Sequence, residues 1–186
     1  RNKENQKGNS PMEHMIHEIK PVFNDKSRIL ILGSFPSVKS REGQFFYHHP
    51  QNRFWKVLAA SLSQPVPATV EEKTLFLLSN HIAVWDVIAS CDIRGSSDSS
   101  IRNVTPNDLT NLLSLAPIRS IYTNGGTSHK LFCKHIESSL GRSAVKLPST
   151  SPANATWTLE RLVSVWGPAI REGLFPGKPD SNLTDF

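Results

Sequence analysis

The chain has 186 residues and a formal net charge of +5, from 21 Lys and Arg against 16 Asp and Glu. With 38% hydrophobic and 20% charged residues, it has enough apolar side chain to bury one core and too little charge for a disordered chain. Two cysteines, Cys91 and Cys133, exclude an all-cysteine zinc site, a cysteine-ligated iron–sulfur cluster and a disulfide scaffold.

Residues 1–11 are polar and aperiodic and are expected to form a disordered leader. Residues 12–174 are expected to form one domain, followed by a loose tail over 175–186, where Gly and Pro interrupt any pattern. Residues 28–33 (RILILG) are a continuous apolar run ending in Gly, the pattern of a strand buried on both faces of a parallel sheet. Three further strands are predicted over 82–88, 118–123 and 144–147. Among the helices, Phe54, Val57, Leu58 and Leu62 share one face. Thr69 with Glu72 makes a capping box for a helix that Asn80 closes. Thr105-Pro106 reads as the start of a helix over 107–115, and Ser128 as the cap of one running to Leu140 before Gly141. A last helix is predicted over 157–166, stopped by Gly167-Pro168. This alternation predicts a three-layer α/β/α fold around a central, mostly parallel four-stranded sheet. Apolar runs as short as 29–32 and 75–78 cannot cross a bilayer, and no secretion signal is legible. A cytoplasmic home without membrane contact is therefore expected, and the basic excess permits a polyanionic partner.

In parallel sheets ligands bind beyond the carboxyl ends of the strands. After the first strand come Gly33, Ser34, Phe35, Pro36 and Ser37, and then a dense cluster from Tyr47 to Trp55 holding His48, His49, Asn52 and Arg53. Taken singly these residues have plain roles: Asn52 is a good helix cap, and Phe54 and Trp55 are core residues. Together, 32–40 (LGSFPSVKS) and 45–55 (FFYHHPQNRFW) resemble the first motif of the uracil-DNA glycosylase superfamily, in its hypoxanthine-DNA glycosylase branch. The resemblance runs from about Ile19 to Gly167 and takes in Trp85-Asp86 and 147–154 (LPSTSPAN). Two departures stand out. Phe35 occupies the place of a catalytic Asn or Asp in related branches, and Leu147 that of a His in the uracil-specific branch. Phe can neither orient a water nor accept its proton.

The resemblance implies a monofunctional glycosylase that flips out a deaminated base, foremost hypoxanthine, and acts on DNA as a monomer without metal, cluster or cofactor. The alternatives are a mismatch-directed uracil glycosylase and an inactive DNA-binding relative. The resemblance makes Asn52, Asp86 and His49 the catalytic candidates. Gly33, Ser34, Phe35, Phe46, Tyr47 and Asn124 become base-binding candidates, with Tyr47 or Phe46 stacking on the base. Asn52 is expected to hold a water through its side-chain carbonyl. Asp86 is a reader of the hypoxanthine N1–H, a general base for the water, or a carboxylate that caps a local turn or pairs with Arg94. Asn124 is a reader or simply a turn former before Gly125-Gly126. His49 is a proton donor, a phosphate contact or a packing residue. Ser37, Lys39, Ser149, Thr150, Ser151 and Pro152 are expected to contact DNA, with Ser40, Arg41 and Lys146 as further phosphate candidates. The stretch 95–101 (GSSDSSI) resembles one of the same branch and either lines the pocket mouth or caps the next helix.

Overall fold

The computed structural model describes residues 10–178. The expectations for 1–9 and 179–186 lie outside the described residues. Four parallel strands form the central sheet in the order β3 (Ile82–Asp86), β2 (Ile29–Gly33), β6 (Ser120–Asn124), β7 (Val145–Leu147). Each residue of β2 is buried. Ile29 and Ile31 join one core cluster, while Leu30 and Leu32 join the other. The two-residue side-chain period thus places apolar groups on both faces, so the strand reads as one unbroken apolar run.

One face is covered by α2 (Phe54–Ser61), α3 (Val70–Ser79) and α7 (Leu159–Leu174). The other meets α4 (Thr110–Leu115), α5 (Gly126–His135) and a second sheet. The remaining helices are α1 (Val38–Gly43) and the single turn α6 (Glu137–Leu140). The expected capping box is formed: Thr69 Oγ1 accepts from Glu72 N–H, and the Glu72 carboxylate accepts from Thr69 N–H.

Several expectations are corrected. The run 82–88 is two strands, because the chain turns at Val87 into β4 (Ile88–Arg94). Asn107 pins this turn, its Nδ2 donating to the carbonyls of Asp86 (2.9 Å) and Ile88 (3.1 Å). Asn107 is therefore no helix residue: β5 (Ser97–Pro106) runs through Thr105-Pro106, and α4 begins only at Thr110. A second, antiparallel sheet, β1 (Met12–Ile16)–β4–β5, had no counterpart in the sequence reading. The helix expected over 128–140 breaks at Ile136, and Ser128 Oγ donates to Gly125 O from within α5. Gly141 does close α6 in the left-handed conformation. Finally, α7 continues through Gly167-Pro168. Leu162, Trp166, Ile170 and Leu174 recur every four residues and are all buried. Burying that stripe, at roughly 1.5–3 kcal/mol per large side chain, outweighs the ~3 kcal/mol cost of a helical proline.

Candidate active site

The carboxyl ends of all four parallel strands open into one cavity of about 970 Å³, which reaches Gly33 of β2, Asp86 of β3, Asn124 of β6 and Leu147 of β7. Also on its wall are Ser34, Phe35, Phe46, Tyr47, His49, Asn52, Ser37 and the loop Ser149, Thr150, Ser151, Pro152. Of the residues singled out as catalytic, base-binding or DNA-contacting, Lys39 and the phosphate candidate Arg41 stand apart from the wall; Lys39 is the more exposed of the two. Its Nζ lies 3.6 Å from the Glu42 carboxylate on the exposed side of α1.

Asp86 is buried, at 4% exposure. Its partner is His17 rather than Arg94: His17 Nε2 stands 2.7 Å from Asp86 Oδ2 with both side chains all but sealed from solvent. On the opposite side of that ring, His17 Nδ1 accepts from the Ile19 N–H at 3.2 Å. Phe35, Phe46 and Trp85 surround the imidazole, with ring centroids 5.9, 6.3 and 6.3 Å away. Asp86 Oδ1 and Tyr47 Oη both press on Gly33, where an added Cβ would meet them at 2.4 and 3.0 Å. Only glycine permits this approach.

Tyr47 itself has a left-handed backbone, φ 49°, a state that costs a bulky residue about 1–3 kcal/mol. Two contacts hold it: the ring stacks on Phe54 at 3.9 Å, and Trp55 Nε1–H donates to its carbonyl at 3.2 Å. Burial, reinforced by the Asp86 charge, raises the phenol well above its ordinary range, with Asn124 acting weakly the other way. The hydroxyl is buried and makes no well-formed hydrogen bond among the described residues.

Asn52 does not open its carbonyl to a water. Asn52 Oδ1 accepts from Phe54 N–H and from the Thr150 hydroxyl, both at 2.9 Å. A backbone N–H can only donate, so this oxygen is fixed toward Phe54 and the amide nitrogen is left for the cavity. Asn124 is held as tightly, its Nδ2 donating to Thr150 Oγ1 and its Oδ1 accepting from Thr150 N–H, both at 3.0 Å. Thr150 is completely buried between these two amides, so its hydroxyl is spent inside the protein and does not reach a phosphate. The loop it belongs to hangs on Arg53, whose guanidinium donates to the carbonyls of Thr150, Ser151, Asn154 and Trp157.

At the rim, Ser37 caps α1, with its Oγ accepting from Ser40 N–H. Ser40 is buried, and Arg41 donates to the carbonyl of Gly95 at 2.7 Å, so neither is a free phosphate contact. His49 Nδ1 accepts from Gln51 N–H at 3.0 Å, which leaves its Nε2 to carry the proton. The 95–101 stretch is the β4–β5 hairpin, and it does line the mouth. From it Asp98 accepts the Ser34 hydroxyl at 3.1 Å. Asp98 meets solvent at the cavity mouth, yet neighbouring chain crowds water from its carboxyl and raises its pKa, with the Asp86 charge adding to the shift and Ser34 opposing it. Among the described residues no three His, Cys, Asp or Glu side chains stand together as a metal site requires. No described helix is long and apolar enough to cross a membrane.

Residues 20–167 match the family model described as the Uracil DNA glycosylase superfamily. A protein named hypoxanthine DNA glycosylase from Methanosarcina acetivorans is 32% identical over 152 residues, 81% of this chain and 94% of its own length. Another of that name from Methanosarcina barkeri is 29% identical over 153 residues, 81% and 95% of the two chains. A Methanosarcina acetivorans protein solved by solution NMR as a candidate uracil DNA glycosylase superposes with a TM-score of 0.73 at 30% identity, covering 86% of this chain and 99% of its own. Parallel sheet, strand-end cavity and matched span agree, and the chain belongs to the uracil-DNA glycosylase superfamily.

Proposed function

We propose that this chain is a monofunctional DNA glycosylase that extrudes a deaminated base from DNA, foremost hypoxanthine, and hydrolyses its N-glycosidic bond. The observation that carries this reading is the strand-end cavity, in which a carboxylate, two amides and an aromatic wall converge. The relatives named hypoxanthine DNA glycosylase support the choice of base. The protein acts as a monomer, and its unpaired Cys91 and Cys133 fit a reducing intracellular setting.

Extrusion costs a few kcal/mol, less for a base that is already mispaired. Stacking on an aromatic returns about 1–3 kcal/mol, and Phe46 presents such a surface on the wall, the Tyr47 ring being already stacked on Phe54. Asp86 accepts a hydrogen bond from the base. When the bond to the sugar breaks, its electron pair leaves with the base, and the sugar carries developing positive charge. Water adds to the sugar carbon and yields its proton, and the base departs protonated. Phe35 removes the side chain that orients that water in related branches, so the chemistry rests on electrostatic stabilisation. The Asn52 Nδ2 and His49 Nε2 donors answer charge on the departing base and the phosphates beside it. Lys146, the one lysine on the cavity wall among the described residues, is exposed and lacks the buried setting that makes an amine a nucleophile. An abasic site with an intact strand is therefore the product.

The test incubates the protein, in EDTA, with duplexes carrying one deoxyinosine or one deoxyuridine and then heats in alkali. Inosine-dependent cleavage, lost in Asn52→Ala and in Asp86→Ala, is expected. Strand breaks before alkali would refute the monofunctional reading. Folded protein that binds DNA but cuts neither duplex would make the chain a binding relative instead.

A further inference from the structure

The family match begins at residue 20, and His17 lies outside it. His17 reaches the site because β1 pairs with β4 along Met12–Ile16, and the pairing continues as His17 N–H donates to Ala89 O at 2.7 Å. Its ring has one possible arrangement of protons. Nδ1 accepts from Ile19 N–H, so it carries no hydrogen, and the proton sits on Nε2. That N–H can only donate, so Asp86 Oδ2 is an acceptor. The second oxygen, Oδ1, accepts no hydrogen bond among the described residues and faces Gly33 on the cavity wall. Against the same glycine lies Tyr47 Oη, a buried hydroxyl whose proton finds no acceptor among the described residues. An acceptor and a donor thus stand side by side at the cavity wall.

We propose that His17 is a positioning residue that fixes Asp86 as the acceptor half of a donor–acceptor pair with Tyr47 Oη, matched to a base bearing an N–H beside a carbonyl. Hypoxanthine and uracil present that edge. Adenine presents a bare ring nitrogen beside an amino group, and the Asp86 carboxylate, which can only accept, would oppose that nitrogen. A site built around buried hydrogen-bonding groups rejects an analogue that leaves them unpaired far more strongly than an apolar pocket does. The inference rests on the proposed activity for its substrate, but the state of the His17–Asp86 pair does not.

The titratable groups facing Asp86 are His17 from the segment after β1, Tyr47 from the loop before α2, and Asp98 from the β4–β5 hairpin. Facing His17, besides Asp86, are the uncharged rings of Phe35, Phe46 and Trp85. Loss of His17 therefore removes the donor on Oδ2 and leaves the carboxylate's charge with less hydrogen-bond support.

The experiment measures single-turnover release of hypoxanthine between about pH 5 and pH 9 for wild type, His17→Ala, His17→Gln and Tyr47→Phe, with melting temperatures in parallel. His17→Ala is expected to lose at least tenfold in rate and to move the acid limb of the profile upward. His17→Gln, whose amide N–H can donate to the same oxygen, is expected to recover most of the rate and the original limb. Tyr47→Phe is expected to lose rate without moving the acid limb. A His17 that merely fills the aromatic cage would lower the melting temperature and the rate in both His17 variants and leave the limb in place, which overturns the proposal. The nitrogen shifts of the His17 ring provide a readout independent of activity, and a proton on Nδ1 at neutral pH overturns the pair outright. Should wild type release no base, the proposed function falls, and the ring shifts still decide the pair.

Discussion

Asn52 divides its side chain between two tasks, and a substitution can separate them. The carbonyl oxygen ties Phe54 N–H to Thr150, while the amide faces the cavity. In Asn52→Asp a carboxylate oxygen can keep both structural bonds but the amide donor is gone. Its melting temperature should stay within a few degrees of wild type while the single-turnover rate falls by about 100-fold or more, the usual loss for one donor to developing charge. Asn52→Ala should lose stability as well, by about 1 kcal/mol. An active Asn52→Asp would return the work to the carbonyl. Asp98 obeys the opposite logic. Its pKa is raised in the fold, so its ionised form is disfavoured there. That penalty is absent below the ordinary aspartate range and grows as pH rises through the raised value. Urea unfolding of Asp98→Asn should therefore match wild type near pH 3 and exceed it at neutral pH, while hypoxanthine release declines. A wild type more stable than the variant at neutral pH would contradict the burial argument. Asn52 and Asp86 were legible because each sits in a dense motif or at a strand end. His17 was not, and Asp98 entered only as part of the 95–101 stretch, because their partners lie 69 and 64 residues away in sequence, and nothing in local spacing signals such pairs.

At the scale of elements, Arg53 explains why two strings about a hundred residues apart belong together. Its guanidinium and backbone N–H both serve the loop after β7, and Trp166 Nε1–H of α7 donates to Pro148 O of the same loop at 2.9 Å. Lysine keeps the charge but offers one compact donor group in place of a planar fork. Arg53→Lys should cost about 2–3 kcal/mol of stability and speed amide exchange in the 147–154 loop while leaving the central strands protected. Unchanged exchange in that loop would show that Trp166 and Thr150 suffice to hold it. The motif strings were visible in the sequence, but the bonds uniting them were not. The same scale shows where punctuation misleads. Gly167-Pro168 failed to end α7 because a four-residue apolar stripe continues past it, whereas Thr69 and Glu72, backed by no opposing pattern, formed the box that they spell.

In the whole molecule the two sheets divide the labour. The parallel sheet announces itself through apolar runs and makes the cavity at its carboxyl ends. The antiparallel sheet brings Asp98 to the cavity mouth and His17 behind Asp86, yet β1 is short and mostly exposed and β5 is mostly exposed and polar, so no continuous apolar run marks them. His17 follows β1 and Asp98 lies in β5, so the two groups whose pairings the sequence leaves unread both come with this second sheet. The charge distribution sets how DNA is held. Despite a net charge of +5, the cavity wall carries two carboxylates and a single lysine among the described residues, and Lys39 and Arg41 are engaged with Glu42 and Gly95. A phosphate brought to the mouth would therefore meet Lys146 as its charged group, with Ser149 and Ser151 as neutral donors beside it. Each phosphate neutralised on duplex DNA contributes about 0.9 to the slope of log affinity against log salt. Lys146→Ala should flatten that slope by about one unit, weaken inosine-containing and undamaged duplexes equally, and leave the single-turnover rate of bound substrate intact. Binding titrations at several salt concentrations measure this directly. An unchanged slope would mean that Lys146 points away from the phosphates and that the hydroxyl-rich loop holds the DNA without it.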